Sequence, residues 1–436
     1  MNRQILRLAL PNIISNITVP LLGMADLAIA GRTGAATLTI AAMSVGTGIF
    51  GMIYWNCAFL RMGASGLTAQ AYGARRLDVC ADMLLRSTVV ALALAALLLA
   101  LQRPVWDVSA AIIGGSDSIR ALAQAYFDVR IWAAPATVWL MALQGWFIGM
   151  QDSDTPMAVA LLSNVVNIAA SYWLAIGCQM GITGIAMGTV AAQYAGLAVS
   201  LGVVAVRYRS CVRLASVRRS LNPQALTVFF NINRDIFLRT LCVVIAYTFF
   251  TAVSARMGDI TLAVNTLLMQ LFTLFSYMTD GLAYAAEALV GRFIGERDRA
   301  RLTLCMRRLL MWGAVVALAY VVVYVGLWRS ILALFNPEPE VLEAAGRYVG
   351  WIVAVPIVGF APFMFDGFLI GAAQTTVMRN TVFWSTVIYL ITFFALHAGL
   401  GMGNTSIWIA FIVFLAGRGI LLWRCTRGLR SITDMV

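Results

Sequence analysis

Along the chain, apolar runs of about 20 residues or more alternate with short polar stretches. Twelve runs can be placed: 5–31, 36–60, 83–102, 121–150, 157–177, 182–206, 231–255, 260–291, 303–333, 342–371, 377–398 and 402–424. A helix rises about 1.5 Å per residue, so roughly 20 apolar residues cross a hydrocarbon core about 30 Å thick. The pattern predicts an all-α polytopic membrane protein with twelve transmembrane helices. The first run is longer than a signal peptide's apolar region, continues past Asp26, and lacks a small-residue cleavage site ahead of a soluble domain. It is expected to remain as the first spanning helix.

Composition agrees with a lipid environment. Of 436 residues, 61% are hydrophobic and 11% charged, against about a quarter charged in an ordinary soluble domain. Every basic residue is arginine, and the net charge is +12. That excess would suit a nucleic acid if it formed one surface, but it follows alternate connections. The tails, the even-numbered loops and the helix ends beside them carry most arginines, among them Arg3, Arg7, Arg75, Arg76, Arg207, Arg209, Arg297, Arg299, Arg301 and Arg427. The odd-numbered loops have Arg32, Arg103, Arg120, Arg256 and Arg329. This is an orientation signal that places both termini in the cytoplasm, and no nucleic-acid partner is expected. Seven scattered cysteines form no C-x-x-C pair, and His397 is the one histidine. Packing roles are expected for the cysteines, a hydrogen-bonded interfacial role for His397, and no metal site.

The two halves repeat. A shift of 222 residues aligns Gly73 with Gly295 and Arg75 with Arg297, "GWFIG" at Gly145 with "GFLIG" at Gly367, and Gly177 with Gly399. Near the start the shift becomes 224, matching Arg32 to Arg256 and Gly34 to Gly258. Each repeat holds six helices, an even number, so both halves enter the membrane from the same side. Such parallel repeats occur in transporters that alternate access by rocking one half against the other. The expected organisation is an N-lobe over 1–206, a cytoplasmic linker over 207–230 and a C-lobe over 231–436.

Acidic residues inside the runs are the candidate chemistry. An aspartate at a helix centre costs roughly 2.5 to 3.5 kcal/mol on insertion scales, so it faces a cavity or a partner. Asp26 stands alone in "PLLGMADLAIAG". Asp280 and Glu287, two helical turns apart, share a face of the eighth helix, and Asp366 lies in the tenth. Asp128 and Asp235 have Arg130 and Arg234 beside them as candidate ion-pair partners. Burial raises a carboxyl group's proton affinity and a nearby cation lowers it, so an acid in an alternating cavity can take up and release a proton. A carboxylate is also the natural counter-charge for a cationic substrate. Pro11 and Pro20 mark the first helix as one able to bend, and Asn12, Ser15, Asn16 and Thr18 can satisfy the backbone groups that proline frees. Met24, Trp139 and Tyr277 are candidate apolar cavity walls, alongside Met141, Tyr247 and Tyr284. No G-x-x-x-x-G-K-[ST] loop occurs, so active transport would draw on an ion gradient. No enzymatic activity is expected.

The stretches "LRLALPNIISNITVPLLGMAD", "FLRMGASGLTAQAYGARR", "NINRDIFLRTL", "DGLAYAAEALVG" and "MFDGFLIGAAQTTVMRN" resemble the multidrug and toxic compound extrusion (MATE) family, in its DinF-like bacterial branch. The resemblance covers both halves. It implies two six-helix lobes forming a V-shaped cleft in a bacterial inner membrane, and export of amphipathic, cationic compounds against inward flow of protons or sodium. It implies no cofactor. By motif and spacing it places the family's protonation or cation site on Asp26, its bending proline on Pro11, and the polar N-lobe cluster on Asn167 and Thr189. The family's second acidic position falls on Ser171 in "NIAASYW". A sodium site thereby loses half its negative charge, whereas protonation needs only Asp26, so proton coupling is the expectation and sodium coupling the alternative. Gln193, one turn beyond Thr189, is a further candidate for the cavity. A flippase for lipid-linked substrates, from the wider superfamily, is the other class considered; it would need a strongly charged cleft. A monomer is expected.

Overall fold

The computed structural model describes residues 1–34, 36–113, 116–335, 338–427 and 430–434. Among them there are no strands, and twelve helices are long and apolar enough to cross a membrane. These are α1 (Asn2–Ala30), α2 (Ala36–Gly73), α3 (Leu77–Ala100), α4 (Asp117–Gly149), α5 (Asp154–Gly177), α6 (Gly181–Arg207), α7 (Pro223–Arg256), α8 (Asp259–Glu296), α9 (Arg299–Ala333), α10 (Val349–Gly371), α11 (Thr375–Gly399) and α12 (Asn404–Cys425). Each matches one apolar run. Three details differ from the hydropathy pattern. α2 continues to Gly73 through a one-residue interruption at Ala58. The run at 342–371 is divided, because a short helix ends at Gly346 and the charged Arg347 precedes α10. A twelve-residue helix, Gln102–Ile113, joins α3 to α4 and is too short to span.

The chain divides into two compact units, residues 14–230 and residues 1–13 with 231–436. α1 contributes its first thirteen residues to one unit and the rest to the other. The 14–230 unit has a core around Phe50, Tyr126, Phe127 and Trp106, and a second cluster around Trp146 and Phe147. The other unit is built around Phe250, Phe275, Tyr389, Trp408 and Phe411, rings that meet mostly edge to face.

In lipid, helices gain little from hydrophobic burial against each other and associate by close packing of small residues. The two aligned glycine motifs serve this purpose. A Cβ on Gly145 would lie 2.1 Å from the Arg61 carbonyl oxygen, and one on Gly149 would lie 2.8 Å from that of Ser65, so α4 crosses α2 backbone to backbone. At the shifted positions, a Cβ on Gly367 would lie 2.6 Å from the Ala283 oxygen and one on Gly371 2.7 Å from the Glu287 oxygen. α10 thus crosses α8 in the same way.

The backbone carries the repeat further than the side chains do. Positive φ values recur at the same shift: Arg75 (φ 58°) with Arg297 (55°), Gln151 (61°) with Ala373 (56°), Gln179 (56°) with Gly401 (63°), and Gly181 (57°) with Gly403 (55°). The first two pairs end helices with the same crossed hydrogen bonds, Arg76 N–H to Ala71 and Asp298 N–H to Phe293, then Asp152 N–H to Phe147 and Gln374 N–H to Leu369. α5 and α11 both finish in a π-helical turn, Trp173–Gly177 and Ala395–Gly399.

α1 stays helical through Pro11 and Pro20. Nearby side chains bond its carbonyls: Asn12 Nδ2 donates to Leu8 O at 2.8 Å and Thr18 Oγ1 to Ser15 O at 2.7 Å. Just after Pro11 the helix rests on α8, where a Cβ on Gly281 would lie 2.8 Å from the Ile13 nitrogen.

Gly145→Ala is expected to destabilise the protein by about 1 to 3 kcal/mol through overpacking. Gly48→Ala, with nothing within 4 Å of the new methyl, is expected to be neutral or slightly stabilising. Thermal unfolding of both variants in detergent checks the contrast.

Candidate functional site

α5 and α6 bring three of the expected polar residues together. Asn167 Nδ2 donates to Thr189 Oγ1 at 3.1 Å, and the hydroxyls of Thr189 and Ser171 both donate to the Ile185 carbonyl, at 3.2 and 3.3 Å. Gly188 lets the helices approach here, since a Cβ on it would fall 2.2 Å from Ser171 Oγ. Ser171 is fully buried, its hydroxyl already committed to the backbone. Asn167 Oδ1 is buried and accepts no hydrogen bond.

Asp26 on α1 is 9% exposed, and its Oδ1 is buried without a hydrogen-bond donor. No described hydrogen bond joins it to Asn167, Ser171 or Thr189. The charged group that interacts with it is Arg130 of α4, and Tyr126 feels both. Arg130 bonds to the Tyr126 hydroxyl one turn earlier and lies over two rings, 5.0 Å from the Phe50 centroid and 5.3 Å from that of Tyr126. The neighbouring Asp128 is exposed and makes no ion pair with it. Residues two apart on a helix point to different sides, whereas residues four apart meet. Arg130 was therefore visible in the sequence but paired there with the wrong residue. Under the shift of 224, Asp26 corresponds to Phe250, a core ring, so the repeat does not duplicate this carboxylate.

The remaining candidates are dispersed. Pro11 is buried and Pro20 half-buried on α1, where Met24 is 60% exposed. Gln193 is half-buried on α6, and Trp139 donates from Nε1 to Thr88 Oγ1 at 3.0 Å. Tyr277 and Asp280 are half-buried on α8, and Glu287 is fully buried where α10 crosses.

Asp366 sits in an arrangement that acid-centred reasoning missed. Its Oδ2 accepts from Arg239 of α7 and, at 2.7 Å, from Arg418 of α12. Arg418 is among the largest fully buried side chains. Tyr247 interacts electrostatically with both arginines and with Asp280 and Asp366. The signal was two arginines in apolar runs, "FLRTL" and "LAGRG". Asp235, by contrast, is 3.5 Å from Arg234 but is held at 2.6 Å by both Arg379 Nη1 and Thr376 Oγ1 at the start of α11. Among the described residues, no group of three or more His, Cys, Asp or Glu could hold a metal.

Buried polar residues within helices long enough to span a membrane mark a functional site. The sequence matches the MatE family model over residues 11–173 and 236–395. The DNA damage-inducible protein F of Escherichia coli is 35% identical over 424 residues, covering 96% of this chain and 91% of that protein. The probable multidrug resistance protein NorM of Rhizobium meliloti is 24% identical over 343 residues, covering 73% of this chain and 71% of its own. A crystal structure of MATE in the bent conformation has the same fold, with a TM-score of 0.89 at 18% identity, over all of this chain and 96% of that one. The chain belongs to the MatE family of membrane transporters.

Asp366→Ala leaves the buried Arg418 and the half-buried Arg239 without their anion and is expected to cost about 3 to 5 kcal/mol, the usual effect of breaking a buried ion pair. Denaturant unfolding in detergent micelles should show a loss of that size.

Proposed function

We propose that this protein is a secondary active multidrug exporter that exchanges amphipathic cationic compounds for protons by alternating access. It works as a monomer in a bacterial inner membrane, with both termini cytoplasmic. Asp26 is the protonation site, Asn167, Ser171 and Thr189 complete the polar coupling region, and α1 bends at Pro11. The named multidrug resistance of the Rhizobium relative and the family membership support drug export.

The observation that carries the coupling assignment is Asp26 itself, a lone buried carboxylate with an open oxygen and one fixed cation, Arg130, acting on it. Protonation neutralises Asp26 and releases its attraction to Arg130, which changes the electrostatics of α1 against α4. Loss of the proton restores a negative charge that can hold either Arg130 or a cationic substrate, so proton and substrate exclude one another. A bare sodium ion would enter a site where a guanidinium already balances the only carboxylate. Ser171, in the place of a second acid, adds no charge to attract it.

The half-buried Arg239 and the buried Arg418 favour a second reading, a flippase for an anionic lipid-linked substrate. Asp366 occupies both arginines, which leaves that reading the weaker of the two.

Inverted membrane vesicles given a cationic dye on their outer, cytoplasmic face test the proposal, with export read as dye uptake into the lumen. Collapsing the pH gradient is expected to abolish export, removing sodium to change it less than about twofold, and Asp26→Asn to lower it more than tenfold. Export driven by sodium alone would overturn proton coupling. Undiminished export by Asp26→Asn would remove Asp26 from the mechanism, and movement of a lipid-linked sugar without dye export would favour the flippase.

A further inference from the structure

The two repeats begin their third helix differently. In the 14–230 unit the linker is strapped onto the first turns of α3. Asp82 accepts from the Ser216 N–H and Arg219 Nε, both at 2.8 Å, and from Ser220 Oγ at 3.2 Å. Arg86 Nε donates to the Ser220 carbonyl at 2.8 Å, and Cys211 Sγ donates to that of Leu77. The shift of 222 converts Leu77, Asp78, Ala81, Asp82 and Leu85 into Arg299, Ala300, Thr303, Leu304 and Arg307. Those five residues of α9 line an open groove of about 510 Å³.

A short helix, Arg430–Thr433, packs against α9 as Arg209–Val212 packs against α3, and Asp434 pairs with Arg299 at 2.5 Å. No described residue covers the groove as Ser216 to Ser220 cover α3. Its chemistry is also reversed. Leu304 replaces the acid that holds the linker, and two arginines replace two leucines. Arg301 is drawn off by Glu296 and Asp298, whereas Arg307 has no acidic partner among the described residues.

The groove therefore suits an anion, and the apolar surface of α9 identifies its source. Leu304, Met311, Val315, Leu318 and Val322 recur at helical spacing and are 40% to 65% exposed. This stripe runs from the groove along the membrane-spanning part of α9, so the arginines stand at the head of a lipid-facing surface. Basic pockets at such positions recognise anionic lipid headgroups.

We propose that the groove binds an anionic phospholipid, with Arg299 and Arg307 holding the headgroup phosphate and Leu304 against the first carbons of an acyl chain. The site fills on α9 the place that the linker fills on α3. It depends on the membrane placement of α9 and not on the substrate or coupling ion.

Native mass spectrometry of the full chain, titrated with phosphatidylglycerol or phosphatidylethanolamine, tests this. The wild type is expected to retain phosphatidylglycerol at least about tenfold more tightly. An arginine near the membrane surface contributes about 1 kcal/mol, so the double variant R299Q/R307Q is expected to bind it roughly 10- to 30-fold more weakly. Arg103→Gln, outside the groove, should leave binding unchanged. Both groove arginines are exposed, so the fold should survive, and the thermal midpoint checks this. Asp434→Asn frees Arg299 and is expected to tighten binding severalfold without removing a lipid contact. Equal binding of the two lipids, or undiminished phosphatidylglycerol binding by the double variant, would overturn the proposal. So would displacement of the lipid by millimolar inorganic phosphate, which would make the groove a site for soluble anions.

Discussion

Hydrocarbon offers a polar group no partner, and most of this structure follows from that one constraint. Backbone amides and carbonyls must be satisfied within each span, so the chain crosses as helices. Polar side chains within a span turn back onto its own carbonyls, as Asn12 and Thr18 do on α1. Charged groups must find each other across helices. Arg239, Asp366 and Arg418 do so from three separate spans, and Asp235 gathers Arg379 and Thr376 at the end of another. Asp26 is the departure, since no described hydrogen bond or ion pair reaches its carboxylate and its counter-charge acts from Arg130.

The same constraint decides what the sequence made legible. Spans are long and their apolar signal is strong, so all twelve were readable. The shift between "GWFIG" and "GFLIG" was readable as similarity and became a physical statement once both motifs proved to be backbone crossings. Polar partnerships were harder. Spacing on one helix separates Asp128 from Arg130 and joins Arg130 to Tyr126, a distinction available from helical geometry alone. The union of Arg239, Asp366 and Arg418 was not, because residues 239, 366 and 418 meet only after three spans have packed, and attention to acids passed over two intramembrane arginines.

The repeat kept its scaffold and let its chemistry diverge. Left-handed caps, π-turns and glycine crossings recur at matched positions. The reactive positions do not: Phe250 answers Asp26, Gln144 answers Asp366, and Leu304 answers Asp82. Backbone geometry tolerates few residues at a left-handed cap or a close crossing, whereas a cavity or a helix end accepts many. Duplicated architecture with single-copy chemistry is the result, and under the function proposed above it puts the coupling carboxylate in one unit and the Arg239–Asp366–Arg418 cluster in the other.

A contact made of two backbones has no side chain to lose. At Gly145, Gly149, Gly367 and Gly371 every amino-acid change adds a Cβ, and that atom starts less than 3 Å from a neighbour. Substitution at these four positions therefore draws on the stability of the assembled transporter, whatever the new residue. Diversity aimed at new substrates is better spent where the two halves of the gene already disagree.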